Sequence, residues 1–183
     1  MQKDFLTITP DSGGEGSQAV TVKASPNTGN ARSTTITISG GGITRTIDVI
    51  QAQGRFTASK TGSIQFFNNT RDAILAELRL RLIDSNDENR DISLCEKFFD
   101  LNSGEPRTEQ ISGEVYWEGS QTFTTNKCYL GILSGRHEII EITLNGKTLV
   151  KGTFTSKQEV RFSAITISPG DTLRVSGTVR YSS

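Results

Sequence analysis

Apolar and polar positions alternate with a period of two along most of the chain. Ile36 and Ile38 are interleaved with Thr35, Thr37 and Ser39. Gly40-Gly41-Gly42 follows, and then Ile47 and Val49 are interleaved with Thr46 and Asp48. Successive side chains of a strand point to opposite faces, so this stretch predicts two half-buried strands. The glycines supply the positive φ angles of a tight hairpin. Upstream, residues 5–9 predict a first strand ended by Pro10, and Asp11–Ser17 is a loop. Val20, Val22 and Ala24 oppose Thr21 and Lys23 in a second strand, and Ser25–Asn30 is a dense turn cluster. The core expected of this region is Leu6, Ile8, Val20, Val22, Ile36, Ile38, Ile47 and Val49.

Ala52-Gln53-Gly54 reads as a short boundary. Beyond it, Arg71–Asp84 has the composition of a helix, rich in Ala, Glu, Leu and Arg. Every even position from Ile74 to Leu82 is apolar, however, while Glu77, Arg79 and Arg81 hold odd ones. Unbroken alternation outweighs propensity, so a strand is predicted. Asp84–Arg90 is then a polar turn. Further strands are expected at Ile92–Phe99, at Ile111–Glu118 with Val115 and Trp117 on one face, and at Cys128–Leu133. Glu138–Leu144 and Thr148–Phe154 flank Asn145-Gly146, the sequence of a type I′ hairpin turn. Val160 and Phe162 have the opposite parity to Ile165 and Ile167, which implies a bulge between them. After the turn Ser168–Asp171, Leu173, Val175, Gly177, Val179 and Tyr181 alternate with polar residues. The expected fold is all-β with two β-sandwich domains. Residues 1–53 form an immunoglobulin-like one, and residues 54–183 form a larger jelly-roll-like one.

The 183 residues carry 20 basic and 20 acidic side chains, a formal net charge of zero. No basic excess marks a nucleic-acid surface, and no window has the apolar length of a membrane span. The start, Met-Gln-Lys-Asp-Phe-Leu-Thr-Ile, lacks the apolar region of a signal peptide, so synthesis without export is expected. The aromatic residues are unevenly spread: only Phe5 precedes Gly54. Later come the adjacent rings Phe66-Phe67, Phe98-Phe99 and Tyr116-Trp117. Neighbours on a strand face opposite ways, so each pair is expected to place one ring in the core and one at a protein-contact surface.

Catalytic chemistry is sparse. His137 is the one histidine, at a strand start, and no Cys/His spacing suits zinc. Asp84–Asn89 clusters oxygens, but a calcium loop needs glycine at its sixth place and glutamate where Cys95 stands. Glu138 and Glu141 are three apart and so face opposite sides of a strand. Cys95 and Cys128 are read as small buried side chains, or as a bridge if their strands are neighbours. The expectation is no enzyme, no catalytic residue, no metal and no cofactor.

The N-terminal residues resemble the BACON domain, an immunoglobulin-like β-sandwich of gut Bacteroidetes and their phages. Leu6-Thr7-Ile8-Thr9-Pro10, Ser12-Gly13-Gly14 and Val20-Thr21-Val22-Lys23-Ala24 carry the resemblance, followed by Asn27 or Asn30, Arg32-Ser33, Ile36-Thr37-Ile38-Ser39, Gly41-Gly42 and Ile47-Asp48-Val49-Ile50-Gln51. It covers about residues 3–53. The family often has an aromatic residue ahead of the first strand, a place only Phe5 can fill. The resemblance implies a binding or structural module. With no attached enzyme, the expectation is an accessory protein of a tailed phage particle, made in the host cytoplasm and carried in the virion. Its partners would be capsid or portal-vertex proteins, with room for weak glycan contact and for oligomers. The alternative is a non-catalytic carbohydrate-binding module.

Overall fold

The computed structural model describes residues 2–131, 136–155 and 157–182. The described residues form fourteen strands and no helix. The chain divides into two compact units, Met1–Gly54 with Glu118–Ser120, and Arg55–Trp117 with Gln121–Ser183.

The smaller unit holds β1 (Gln2–Lys3), β2 (Leu6–Thr9), β3 (Thr21–Ala24), β4 (Arg32–Gly40) and β5 (Ile43–Gln51). The first three make one sheet in the order β1-β2-β3, and β4 and β5 make another. The hairpin closes between Gly40 and Ile43, with positive φ at Gly41 and Gly42, the two central positions of a type I′ turn. The core between the sheets is small: Phe5, Leu6, Ile8 and Ile36, with Val49 against it. Phe5 is buried under the Arg32 guanidinium, 4.4 Å from the ring centre. Arg32 also donates to Gln51 Oε1 at 2.8 Å and to the Ser25 carbonyl at 2.8 Å, which ties the hairpin root to the turn after β3.

Half of the core expected here is not buried. Val20, Val22, Ile38 and Ile47 are 50%, 44%, 54% and 51% exposed. The parity of three of them agrees with the sequence pattern: Ile36 pairs with Ile47, and Ile8 with Val22, so Val22, Ile38 and Ile47 lie on the inward faces, while Val20 precedes β3. Two sheets of three and two strands are too narrow to cover those faces over their full length.

The larger unit holds β6 (Arg55–Asn68), β7 (Ile74–Asp84), β8 (Asp91–Leu101), β9 (Arg107–Glu118), β10 (Phe123–Gly131), β11 (Arg136–Leu144), β12 (Lys147–Thr155), β13 (Gln158–Ile167) and β14 (Thr172–Tyr181). A four-stranded sheet, β13-β10-β7-β8, and a five-stranded sheet, β12-β11-β14-β6-β9, enclose one core. The disputed segment is strand β7, and Ala76, Leu78, Leu80 and Leu82 are all fully buried. On β14, Leu173, Val175, Val179 and Tyr181 line the opposite wall. The parity change on β13 coincides with a register shift, Thr125 pairing with Ile165 but Lys127 with Arg161. Asn145 (φ +49°) and Gly146 (φ +83°) form the type I′ turn between β11 and β12. One pairing distinguishes this sandwich from an all-antiparallel jelly roll: β14 runs parallel to β6, in register from Thr172–Ser59 to Tyr181–Asn68. Gly62 lies within that pairing, at φ +129°, opposite Val175.

Candidate interaction surfaces

The adjacent ring pairs divide as strand geometry requires. Phe66 and Trp117 are in the core. Phe66 packs edge-on against Phe99, with ring centres 4.9 Å apart, which joins β6 of one sheet to β8 of the other. Trp117 lies between Phe56 and Phe123, at 6.3 and 6.2 Å. Their neighbours face outward: Phe98 is 48% and Tyr116 56% exposed, and Phe67 is half-buried. The two exposed rings belong to strands of different sheets, β8 and β9, so they do not form one platform.

Each outer ring carries an arginine, a pairing that the alternation of the sequence does not reveal. Arg55 stands 3.9 Å over the Tyr116 ring, Arg79 5.0 Å over Phe98 and Arg180 4.5 Å over Phe67, and Arg107 stands 3.9 Å over the inner ring Phe99. A guanidinium over a ring face is attracted by the ring quadrupole and shields that face from water. What Phe98 and Tyr116 present is therefore a ring backed by a guanidinium, that of Arg79 being paired with carboxylates, and aromatic and arginine side chains are enriched at protein contacts. Parity alone could have located the outer rings, but the arginines lie at cross-strand positions fixed only by register.

The ionisable groups around β7 and β8 are engaged with one another. Arg81 pairs with Asp91 and Glu96, and Arg79 with Glu77 and Glu96. Glu109 accepts from Lys97 at 2.9 Å and Arg107 at 2.7 Å, and the Lys97 hydrogen bond chiefly holds its carboxyl below the usual range. In the oxygen-rich turn Asp84–Asn89, Asp84 is fully buried, paired with Arg90, and accepts from the Asn86 N–H at 2.7 Å. Asp87 accepts from the Asn89 N–H at 3.0 Å, and Glu88 pairs with Lys127. The oxygens thus serve the β7–β8 turn. No group of three metal-ligating side chains occurs among the described residues.

Cys95 and Cys128 are free and buried. They flank β7 on opposite sides, Cys95 across from Leu80 and Cys128 across from Leu82. Two strand spacings and the two-residue offset along β7 separate them by roughly 11–12 Å, beyond the reach of about 7 Å that a bridge allows. Burial pushes their thiols up to about 11 and about 12. The backbone of His137 runs in β11, opposite Val179, while the side chains of His137 and Glu138 and all of Leu133 lie outside the described residues. Glu141 accepts from the Thr148 hydroxyl at 3.1 Å and is paired with Lys151.

The smaller unit contributes a second surface. Ile38, Ile43 and Ile47 are half-exposed on one face of the β4–β5 hairpin, on the same parity as buried Ile36. Residues 2–52 match the family model BACON, described as “Putative binding domain, N-terminal”. The BACON match thus covers the unit that bears this open apolar face. No curated protein matches the chain. Among solved structures, the chain is similar to the major pilin protein T3.2 from Streptococcus pyogenes, with 10% identity and a TM-score of 0.28. That likeness covers 89% of this chain, and the chain spans 66% of the pilin's length.

Proposed function

We propose that this protein is a non-catalytic structural accessory of a tailed phage particle that binds other virion proteins. The observation that carries the reading is the joining of a BACON-type unit to a larger β-sandwich with exposed, arginine-backed rings. The resemblance of the N-terminal residues to a domain used by phages of gut Bacteroidetes supplies the setting. Aromatic and arginine side chains dominate the energetics of protein contacts. The larger unit is therefore the anchor, through Phe98 with Arg79 and through Tyr116 with Arg55. The engagement of carboxylates with arginines and lysines around β7 and β8 favours a scaffold over acid–base chemistry.

The test is mass spectrometry of purified particles from the source phage, with the parent chain and with Phe98→Ala and Tyr116→Ala. The parent is expected on particles, and at least one variant is expected to be lost from them while melting at the parent temperature. Absence of the parent chain from particles, or a gene set within a cellular polysaccharide-degradation locus, overturns the proposal. A carbohydrate-binding module is the second reading, favoured by the binding description of the matched family.

A further inference from the structure

The inward face of β4 and β5 carries one charge where a core is expected. Arg45 stands opposite Ile38 and two residues from both Ile43 and Ile47, and these three isoleucines are 51–59% exposed. Its contact is a long one, 3.4 Å from its own neighbour's carbonyl at Thr44, and no carboxylate among the described residues pairs with it. Asp48, the nearby acid, lies on the other face and accepts from Thr35 at 2.8 Å. Beside this stripe runs an open backbone edge. Among the described residues β5 pairs with β4 alone, and its nine residues contain no proline to interrupt the main-chain donors.

We propose that β5 accepts an extended segment of another protein as an added strand, with aliphatic side chains at alternate positions and an acidic one among them. The edge supplies main-chain hydrogen bonds, and the period-two stripe supplies the side-chain contacts, which is the physics of strand addition. The aliphatic positions pack beside Ile43 and Ile47, and the acidic one meets Arg45. The strands of this unit in a second copy do not offer the acidic residue. The inward strand positions of this unit include no Asp or Glu, so a copy docked face to face brings Arg45 against Arg45 with no carboxylate between them. The proposal rests on the reading of this chain as a binding protein but not on the virion setting, so the two can fail separately.

The test uses the full chain and a nine-residue peptide with Ile, Glu, Ile and Val at alternate positions separated by threonines, against the same peptide with Lys for Glu. Titration is expected to shift the backbone amide signals of Ile43–Gln51. The acidic peptide should bind about three- to fivefold more tightly, the scale of a partly exposed ion pair. Arg45→Glu is expected to reverse the preference and Arg45→Gln to abolish it, with the amide spectrum of the larger unit unchanged in both. Equal affinity for the two peptides, shifts away from β5, or no binding at millimolar peptide overturns the proposal. Dodecanoate reproducing the β5 shifts while the peptide gives none overturns it in favour of an anionic amphiphile. A dimer that forms with concentration and is dissolved by Ile47→Lys overturns it in favour of a second copy.

Discussion

Replacing Gly62 with alanine tests the parallel pairing on which the larger unit closes. A Cβ at Gly62 would lie 1.7 Å from the Val175 carbonyl oxygen, and the backbone there is at φ +129°. Two costs follow. A side chain in that region of φ costs about 1–3 kcal/mol. The overlap involves backbone, so it can be relieved only by parting β6 from β14, which forfeits two or three ladder hydrogen bonds at about 0.5–1.5 kcal/mol each. The total is about 2–7 kcal/mol. Gly113 provides the control, because its φ is +106° and a Cβ there meets nothing within 4 Å. Gly113→Ala should therefore cost only the conformational part. For a chain of this length each kcal/mol lowers the melting temperature by about 2–4 °C. Gly62→Ala is expected to melt on the order of 10 °C or more below the parent, and Gly113→Ala only a few degrees below. Trp117, the single tryptophan, is buried in the larger unit and reports its unfolding by fluorescence. Equal shifts for the two variants, within about 2 °C, would refute the close approach as the reason for glycine at 62.

Two further predictions concern ionisation. With thiols pushed up to about 11 and about 12, Cys95 and Cys128 should resist a thiol reagent at pH 8 in the folded protein and react on unfolding; fast labelling of the native chain would show that the larger unit opens readily. Lys97 and Arg107 hold the Glu109 carboxyl low, so its contribution to stability is present above the ordinary carboxylate range and is lost as pH falls through the lower folded value. Melting Glu109→Gln beside the parent from pH 7 to pH 2 should show the parent's advantage, about 1 kcal/mol or less for such a pair, shrinking only at the acid end; parallel curves would refute the ion pair's role.

How far the alternation could be read depended on what it had to decide. On β7 it overrode a helical composition correctly, because Ala76, Leu78, Leu80 and Leu82 share one face whatever the neighbouring strands are. The parity change before Ile165 and the Asn145-Gly146 turn were equally legible, both being local features of the backbone. In the smaller unit the same alternation named the inward face but not whether anything covers it. Coverage of Val22, Ile38 and Ile47 depends on how many strands a sheet contains, a property that no single strand encodes. For the same reason the cysteines could not be placed, since strand order sets the distance between Cys95 and Cys128. The ring pairs lie between these cases. Their inward and outward members follow from parity, but the stacking of Arg55 and Arg79 depends on partners across the sheets.

The parallel neighbourhood of β6 and β14 also determines how the larger unit bears mechanical load. Chain enters it at Arg55, where β6 begins, and leaves at the end of β14, near Tyr181. Tension drawn along the chain pulls these adjacent strands in opposite directions along their common axis. The registered pairs from Ser59–Thr172 to Asn68–Tyr181 then take the strain together, in shear, instead of opening one after another like a zip. Gly62, seated within that run, lets the two backbones come close enough for the load to be shared.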